Sequence, residues 1–500
     1  MEKSKVIRLK SKVWSWGVTS DFRFQTSDFL PPKAKPGYFL PMLLVFAVVM
    51  LITTGAVMSL NYNNYSIVKR LVKSNQALSI AEAGINYYLW HLSHNNQDYC
   101  DGEACSGEGP YGPYTHTYKN TTGEVLGSYA ITITKPQGSS TVVSIRSDGL
   151  TTSGEQRTVV ATLGIPSFSQ YSFISNHQAW FGNTESTNGL VHSNGGIRYD
   201  GTANGVISSA VQTYTPGSCF GGDGQVKNGI WGSGGPTSYW QFPVPQVDFN
   251  QLTSDLKDLQ TAAQEGGIYL PTLLNNQGQK TYSGYAVRFN AGNTITVGKV
   301  TAKLDHAGLS SSCVKHSHYK SLIQSTVWES TNRNLPTNGV IFVADNAWVW
   351  GTVGSRVTLA SGRFPDTTST NTNIFLQNDI TYTVKDGTVA LGLISQGDLL
   401  VNSAAESDLN IDAYLLSQKG KVFMPYYPNN QAIKDKITVY GGIASYSWWT
   451  WSWVNNSNQV ISGYQNTVQT YDNYLALNPP PYFPTTGSFA ILSWKEEPTL

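Results

Sequence analysis

Hydrophobic and polar positions fall into three textures along the chain. The first runs from Tyr38 to Leu60, YFLPMLLVFAVVMLITTGAVMSL, twenty-three residues without a charge. That is long enough to span a bilayer as one helix. No glycine or proline interrupts the chain between Gly55 and Gly84, so the helix is expected to continue to about Asn95. Beyond the apolar run, Ile67, Leu71, Leu78, Ala81, Ile85 and Leu92 recur at steps of three, four or seven. They form one stripe on an otherwise polar helix. At about 1.5 Å per residue such a rod is roughly 80 Å long.

The second texture is short and alternating. SYAITITK (128–135), TVVSIRS (141–147) and RTVVATLGI (157–165) are separated by Pro136-Gln137-Gly138 and Ser153-Gly154. This predicts an antiparallel meander, residues 96–166, packed on the apolar stripe. A Gly- and Tyr-rich loop, 95–123, precedes it. Its Gly107 to Gly112 run has the GxGxxG spacing but no strand before it and no helix after it, so it does not predict a nucleotide site.

From Tyr171 the third texture begins. Runs such as YSFIS, AWFG, GLVHSNGGIRYDG and GVISS follow one another every eight to ten residues. The rhythm resumes at Gly339 with GVIFVADNAWVWGTVGSRVTLASG, TNIFLQNDITYTV, ALGLISQGDLLV and DLNIDAYLLSQKGKVFM. Short strands with polar turns predict a β-solenoid or a sandwich. The solenoid is favoured, because stacked rungs bury short apolar runs. It is assigned to 167–210 and 339–470, with 211–338 as an insertion. In that insertion Asp248 caps a helix carrying Phe249, Leu252, Leu256, Leu259 and Ala263, which Gly266-Gly267 ends. The tail, 471–500, holds NPPPYFP and is expected to be extended, docked by Tyr482, Phe483 and Trp494. The expected class is therefore α+β, mostly β: a long N-terminal transmembrane helix, a small α+β head and a β-helix-like domain with an insertion.

Charge adds a direction. Residues 1–36 carry Lys3, Lys5, Arg8, Lys10, Lys12, Arg23, Lys33 and Lys35 against three acids. A basic flank before the span predicts a cytoplasmic N-terminus, with everything after Leu60 outside. Over all 500 residues only 13% are charged and the net charge is +1. There is no basic stripe for a nucleic acid. Four cysteines, Cys100, Cys105, Cys219 and Cys313, suit disulfides in an exported chain. Cys100 and Cys105 bracket a tight loop. Cys219 with Cys313 is the natural remaining pair, and free or metal-bound thiols are the alternative.

A positively charged leader ending in Pro36-Gly37, an aromatic Tyr38 and an apolar helix together resemble a type IV prepilin N-terminus. The run Gln76 to Ile85, with Ala81-Glu82-Ala83-Gly84 inside it, is similar to the AEAG helix of PilX-type minor pilins. The resemblance covers residues 30–95. It implies cleavage between Gly37 and Tyr38 by a prepilin peptidase, and lateral packing with other pilin-like subunits through Ile67, Leu71, Leu78, Ala81, Glu82 and Ile85. Met42 stands where such subunits usually carry glutamate, which suits a tip or minor subunit. The implied setting is a bacterial cell membrane with the bulk displayed at the surface, toward glycans or other cells.

Candidate chemistry is sparse. Asp305, His306, Cys313, His316 and His318 offer zinc-type donors at a spacing that matches no common module. His192 lies beside Ser193 with no third group to orient its ring. Asp408, Asn410 and Asp412 share one face of a strand, with Asp398 and Glu406 near in sequence. They are candidates for calcium or paired acids, and a solvated strand face explains them more simply. In Trp448-Trp449-Thr450-Trp451-Ser452-Trp453, alternation puts Trp449, Trp451 and Trp453 on one face, where indoles can stack on sugars or anchor a partner protein; burial of the row under the Pro-rich tail is the alternative. Tyr446 and Trp448 fall on the other. GxSxG, HExxH and Walker signatures are absent. No catalytic residue, cofactor or metal is assigned. A minor pilin-like adhesion and display protein is the expectation. An anchored polysaccharide lyase or hydrolase, or an envelope scaffold, are the alternatives.

Overall fold

The computed structural model describes residues 39–95, 98–136, 142–249, 252–274, 277–306, 319–367, 370–427, 433–455, 457, 459–476, 478–485 and 489–498. The chain divides into two compact units, residues 1–71 and 72–500. The leader junction, Gly37 and Tyr38, lies outside the described residues. Helix α1 (Phe39–His94) begins in the first unit and ends in the second. It is long and apolar enough to cross a membrane. In the first unit its apolar side chains, Ile67 and Leu71 among them, are exposed. The packed stripe therefore starts later than its periodicity suggests.

In the second unit the helix face made of Ala77, Ile80, Ala81, Gly84, Ile85, Tyr88 and Leu92 is buried. Leu78 packs beside it and Glu82 is half-buried. These residues lie against a five-stranded antiparallel sheet. Four strands follow in sequence, β1 (Tyr111–Lys119), β2 (Val125–Thr134), β3 (Val142–Thr151) and β4 (Gln156–Gly164), and Ala490–Glu497 pairs with β4 as the fifth. Ile131, Ile133, Val143, Ile145, Val159, Ala161 and Leu163 make the facing layer, all shielded from solvent. Each fully buried aliphatic side chain of this kind contributes about 1.5–3 kcal/mol. Two expectations change here. The stretch read as loop contains β1, and the extended tail docks chiefly by pairing as a strand with β4, with Phe483 buried but Tyr482 and Trp494 exposed.

Glycine sets the approach of helix and sheet. A Cβ on Gly149 would overlap the Ala77 carbonyl oxygen and the Ala81 nitrogen, and would sit 2.9 Å from the Ala81 Cα. The helix crosses the sheet at this point because no side chain stands there. A loop closed by the Cys100–Cys105 disulfide follows the helix. Tyr88 donates to the Asp98 carbonyl at 2.8 Å and Tyr87 to Asp101 at 3.0 Å. Burial, reinforced by Asp101, pushes the Tyr87 phenol up to about 12.

Residues 167–485 form a large β domain built on parallel pairing. One ladder stacks Ile268–Leu270, Val340–Val343, Arg356–Ser361, Ala390–Ser395, Asp408–Ser417, Ile433–Ser445, Tyr171–Ser175, Leu190–Ser193, Ile207–Ser209 and Trp240–Gln241, in that order. The N-terminal rungs thus continue the stack where Ile433–Ser445 leaves it. A second ladder stacks Gly284–Asn290, Ala347–Val353, Ile374–Tyr382, Leu399–Val401, Val422–Phe423 and Trp449–Thr450. A third joins Ala179–Phe181, Ile197–Tyr199 and Ile230–Trp231. Phe173, Val191, Ile341, Leu359, Leu393, Leu415 and Ile443 point into the common core. The alternate residues Ile174, Phe342, Ala360, Ile394, Leu416 and Ala444 point out and are covered by α2 (Leu252–Glu265), Leu475 and Phe483. With both faces buried, the strands read as continuous apolar runs rather than alternating ones.

The insertion expected at 211–338 is smaller than its sequence suggests. Ile230–Trp231, Trp240–Gln241, Ile268–Leu270 and Gly284–Asn290 belong to the parallel ladders. Three of them are only two or three residues long, too short to show a period. Outside the ladders lie α2 and the antiparallel pair Thr294–His306 with Tyr319–Trp328.

Register brings one serine from each of seven consecutive rungs into a row: Ser361, Ser395, Ser417, Ser445, Ser175, Ser193 and Ser209. All are completely buried. Ser175, Ser193, Ser209, Ser361 and Ser417 donate to the carbonyls of Ser447, His177, Gly195, Asp345 and Gly397, at 2.7–2.8 Å. Each of those carbonyls sits two residues beyond the register partner, in the turn of the adjoining rung.

Two stability outcomes follow. Gly149→Ala should cost about 1–3 kcal/mol by forcing the helix off the sheet, read as a lower thermal midpoint, whereas Gly182→Ala, with open space around its Cβ, should stay within about 0.5 kcal/mol of the parent. Ser417→Ala should cost about 1–3 kcal/mol by orphaning a buried carbonyl, measured by denaturant unfolding.

Candidate functional site

The tryptophan run is split by the fold. Trp449 and Trp451 are 8% and 2% exposed and belong to the core, where Trp449 packs on Phe173 and Phe181 at 5.2 and 5.5 Å between ring centres. The expected single stacking face of Trp449, Trp451 and Trp453 is therefore corrected. The reason is local: Trp449–Thr450 ends one ladder and Ser452–Val454 begins an antiparallel pairing, so alternation does not carry through Trp451.

Instead, Trp453 and Trp448 come together, 5.7 Å apart with planes at 84°. They line a cleft of about 390 Å³ together with Trp180, Arg198, Phe220 and Gly221. The Trp453 indole donates to the Met424 carbonyl at 2.9 Å, which fixes its plane. The Lys421 ammonium sits 4.9 Å from the centre of the Trp448 ring.

In the same cleft the guanidinium of Arg198 stacks between Trp180 at 4.4 Å and Trp231 at 5.2 Å. Asp200 organises this stack. One carboxylate oxygen accepts from Trp180 Nε1 at 3.0 Å and Arg198 Nε at 2.8 Å, and the other from the Ser233 amide and hydroxyl at 3.0 and 3.1 Å. Burial opposes its ionisation, but hydrogen bonds from Ser233 and Trp180 and the charge of Arg198 outweigh it and hold the carboxyl below its ordinary value. Gly221 lets the guanidinium lie close, since a Cβ there would overlap Arg198 Nη1. Sequence reading missed Trp180, Arg198 and Asp200. The arrangement Trp180 with Arg198-Tyr199-Asp200 becomes visible only once Ala179–Phe181 and Ile197–Tyr199 are known to pair, with Trp180 opposite Arg198.

The other candidates are placed as follows. His192 is buried, and burial pushes its pKa down. Its partners are Ser208 Oγ on Nδ1 and Asn194 Oδ1 on Nε2, both at 3.0 Å, rather than Ser193. Asn194 accepts from the Val247 amide and donates to the Val247 carbonyl, at 2.9 and 2.7 Å. Its Oδ1 is thereby fixed as an acceptor, so His192 donates from Nε2. The group clamps the segment at Val247 onto the ladder. Asp408 is exposed and pairs with Lys436 at 3.1 Å. Asp412 is buried, pairs with Lys385 at 2.8 Å and accepts from the Tyr382 amide. Asn410 takes part through its amide, which donates to Asp379. Glu406 accepts from Asn378, and Asp398 from the Lys421 amide. Cys219 is disulfide-bonded and lines the aromatic cleft. Cys313, His316 and His318 lie outside the described residues, as do the side chains of Asp305 and His306. Among the described residues no three His, Cys, Asp or Glu side chains converge as metal ligands.

No known protein family matches the chain, and no curated protein matches it. Among solved structures it is similar to the competence-associated pilin ComZ from Thermus thermophilus, at 13% identity and a TM-score of 0.26, covering 85% of this chain and 97% of that one. The functional reading rests on the chain's own geometry.

Asp200 sets a pH dependence. Its folded pKa is depressed, so its contribution is complete above the ordinary carboxylate value of about 3.9 and is lost as pH falls through the lower, folded value. Between those limits the parent should lose stability faster than Asp200→Asn, and emission from Trp180 should change with it, as read by acid unfolding followed through tryptophan fluorescence.

Proposed function

We propose that this chain is a pilin-like surface subunit that displays a large β-rich head. The observation that carries the reading is the division of α1: its first part is apolar and exposed, and its last part is the packing helix of a small antiparallel sheet. An apolar helix can be held in a membrane and then packed beside other such helices, while the packed end keeps the head folded. The leader junction at Gly37 and Tyr38 and the Ala81 to Gly84 run support the same reading, by resemblance to PilX-type minor pilins. Parallel stacking with inward apolar and outward covered residues supports a β-solenoid as the displayed domain. A minor role, in priming, at a tip or in adhesion to glycans or other cells, fits a head this large better than repetition along a filament does.

The scaffold reading has one observation in its favour, the burial of Trp449 and Trp451. The cleft beside them, open and lined by indoles and a guanidinium, favours display with recognition. For the lyase or hydrolase reading, Asp408 and Asp412 are each matched to their own lysine, which favours structural roles. We read the protein as non-enzymatic.

Mass spectrometry of the N-terminus, on protein recovered from its own membrane, tests the proposal. Tyr38 as the first residue is the expected result, and Gly37→Val should retain the leader. An intact leader in the unaltered protein would make α1 a permanent signal anchor and overturn subunit assembly.

A further inference from the structure

We propose that the cleft between Trp180, Arg198, Phe220, Trp448 and Trp453 binds a carboxylated sugar unit of an acidic polysaccharide. This deepens the display reading and rests on it only for where the ligand is met; the binding chemistry stands on the cleft itself.

Its volume of about 390 Å³ lies within the usual range for small-ligand sites, roughly 300–1,000 Å³. Trp448 and Trp453 meet at 84°, so together they make a corner rather than a flat patch. Indole faces pack well against the C–H face of a pyranose ring, which is apolar, while its hydroxyls remain at the edge. The charge in the cleft is equally specific. Among the described residues, Arg198 is the one charged side chain lining it, and no carboxylate does. Asp200 takes the Nε of Arg198, and among the described residues no acceptor is hydrogen-bonded to the two terminal nitrogens. They form a planar fork held between two indoles, the geometry that receives a carboxylate through two parallel hydrogen bonds.

The fork is also prepared in advance. Both oxygens of Asp200 are saturated by Trp180, Arg198 and Ser233, so stacking plane and guanidinium are braced by one group. A ligand meeting a braced site loses less affinity to ordering. A nucleic acid also stacks on aromatic side chains, but it needs a run of cations along its phosphates. One arginine in the cleft, with Lys421 beside Trp448, in a chain of net charge +1, is not a continuous cationic track and suits a ligand bearing about one negative charge per unit.

The test uses the full-length protein in detergent, titrated with oligogalacturonate and with the same oligomer after its carboxyl groups are reduced to alcohols. Tryptophan fluorescence and calorimetry report binding. The expected result is quenching by oligogalacturonate, with affinity for the reduced oligomer lower by about tenfold or more. Arg198→Gln should remove that preference, and Trp448→Ala should weaken both ligands. Because the first comparison changes only the sugar, it does not depend on how the variants fold. Equal affinity for the two oligomers, absence of binding to both, or displacement of oligogalacturonate by equimolar single-stranded DNA would each overturn the proposal. The N-terminal mass of the same preparation separates the two readings. Binding by a protein with an intact leader sinks the assembly reading alone, and a Tyr38 terminus without binding sinks the cleft alone.

Discussion

The β domain depends on one hydrogen bond made repeatedly: a buried serine hydroxyl reaching to a carbonyl in the next rung. Parallel strands leave many backbone groups at their ends, and a buried carbonyl without a donor is costly. Ser175, Ser193, Ser209, Ser361 and Ser417 answer this at equivalent positions. The same row fixes register. A slip of one residue would turn every inward apolar side chain outward and withdraw each hydroxyl from its carbonyl. Turn length above the row is then free to vary, and the aromatic cleft is assembled from such turns and strand ends.

Connectivity follows a second constraint. The stack has two ends, yet its N-terminal rungs continue from its C-terminal ones, between Tyr171–Ser175 and Ile433–Ser445. The chain must therefore pass from Trp240–Gln241 at one end to Ile268–Leu270 at the other. Helix α2 lies on that path, and it covers the outer apolar face of the long ladder as it goes. A connection that topology demands thus also shields a sheet whose outer face is aliphatic.

Much of this was legible. The uncharged run Tyr38 to Leu60 and the spacing of Ala81, Ile85 and Leu92 point to the helix and to part of its buried face. The mostly β character of the remainder, the three central strands of the head and the existence of α2 are also readable, although α2 begins at Leu252, so Asp248 is not its cap and Phe249 lies before it. The rung repeat was not, although its signal is present: an apolar run ending in serine and then an amide, as in Ser175-Asn176, Ser193-Asn194, Ser395-Gln396 and Ser417-Gln418. Turns of unequal length separate these pairs, so no fixed period appears. The cleft was half legible. Composition drew attention to the tryptophans, and alternation rightly kept Trp449 and Trp451 on one face, but it did not show that this face is buried, and it fails before Trp453, where antiparallel pairing begins. Arg198 and Asp200 carry no mark in sequence, since their meaning comes from Trp180 on the neighbouring strand.

The β domain enters and leaves the head through neighbouring strands. Gly164 pairs with Ala490, and just beyond them the Phe168 amide donates to the Pro484 carbonyl at 3.1 Å. At the far end of the same strand pair, Arg146 bonds Glu497 at 2.6 Å and Arg157 bonds Glu496. A load on the β domain would reach β4 and its partner at the same end and in the same direction, because both strands run on into that domain. It would not prise the two apart. It would pass along β4 into β3, whose full-length register sets those hydrogen bonds to resist together in shear. The ion pairs at the far end tie the partner strand to β3 and β4 against the same pull.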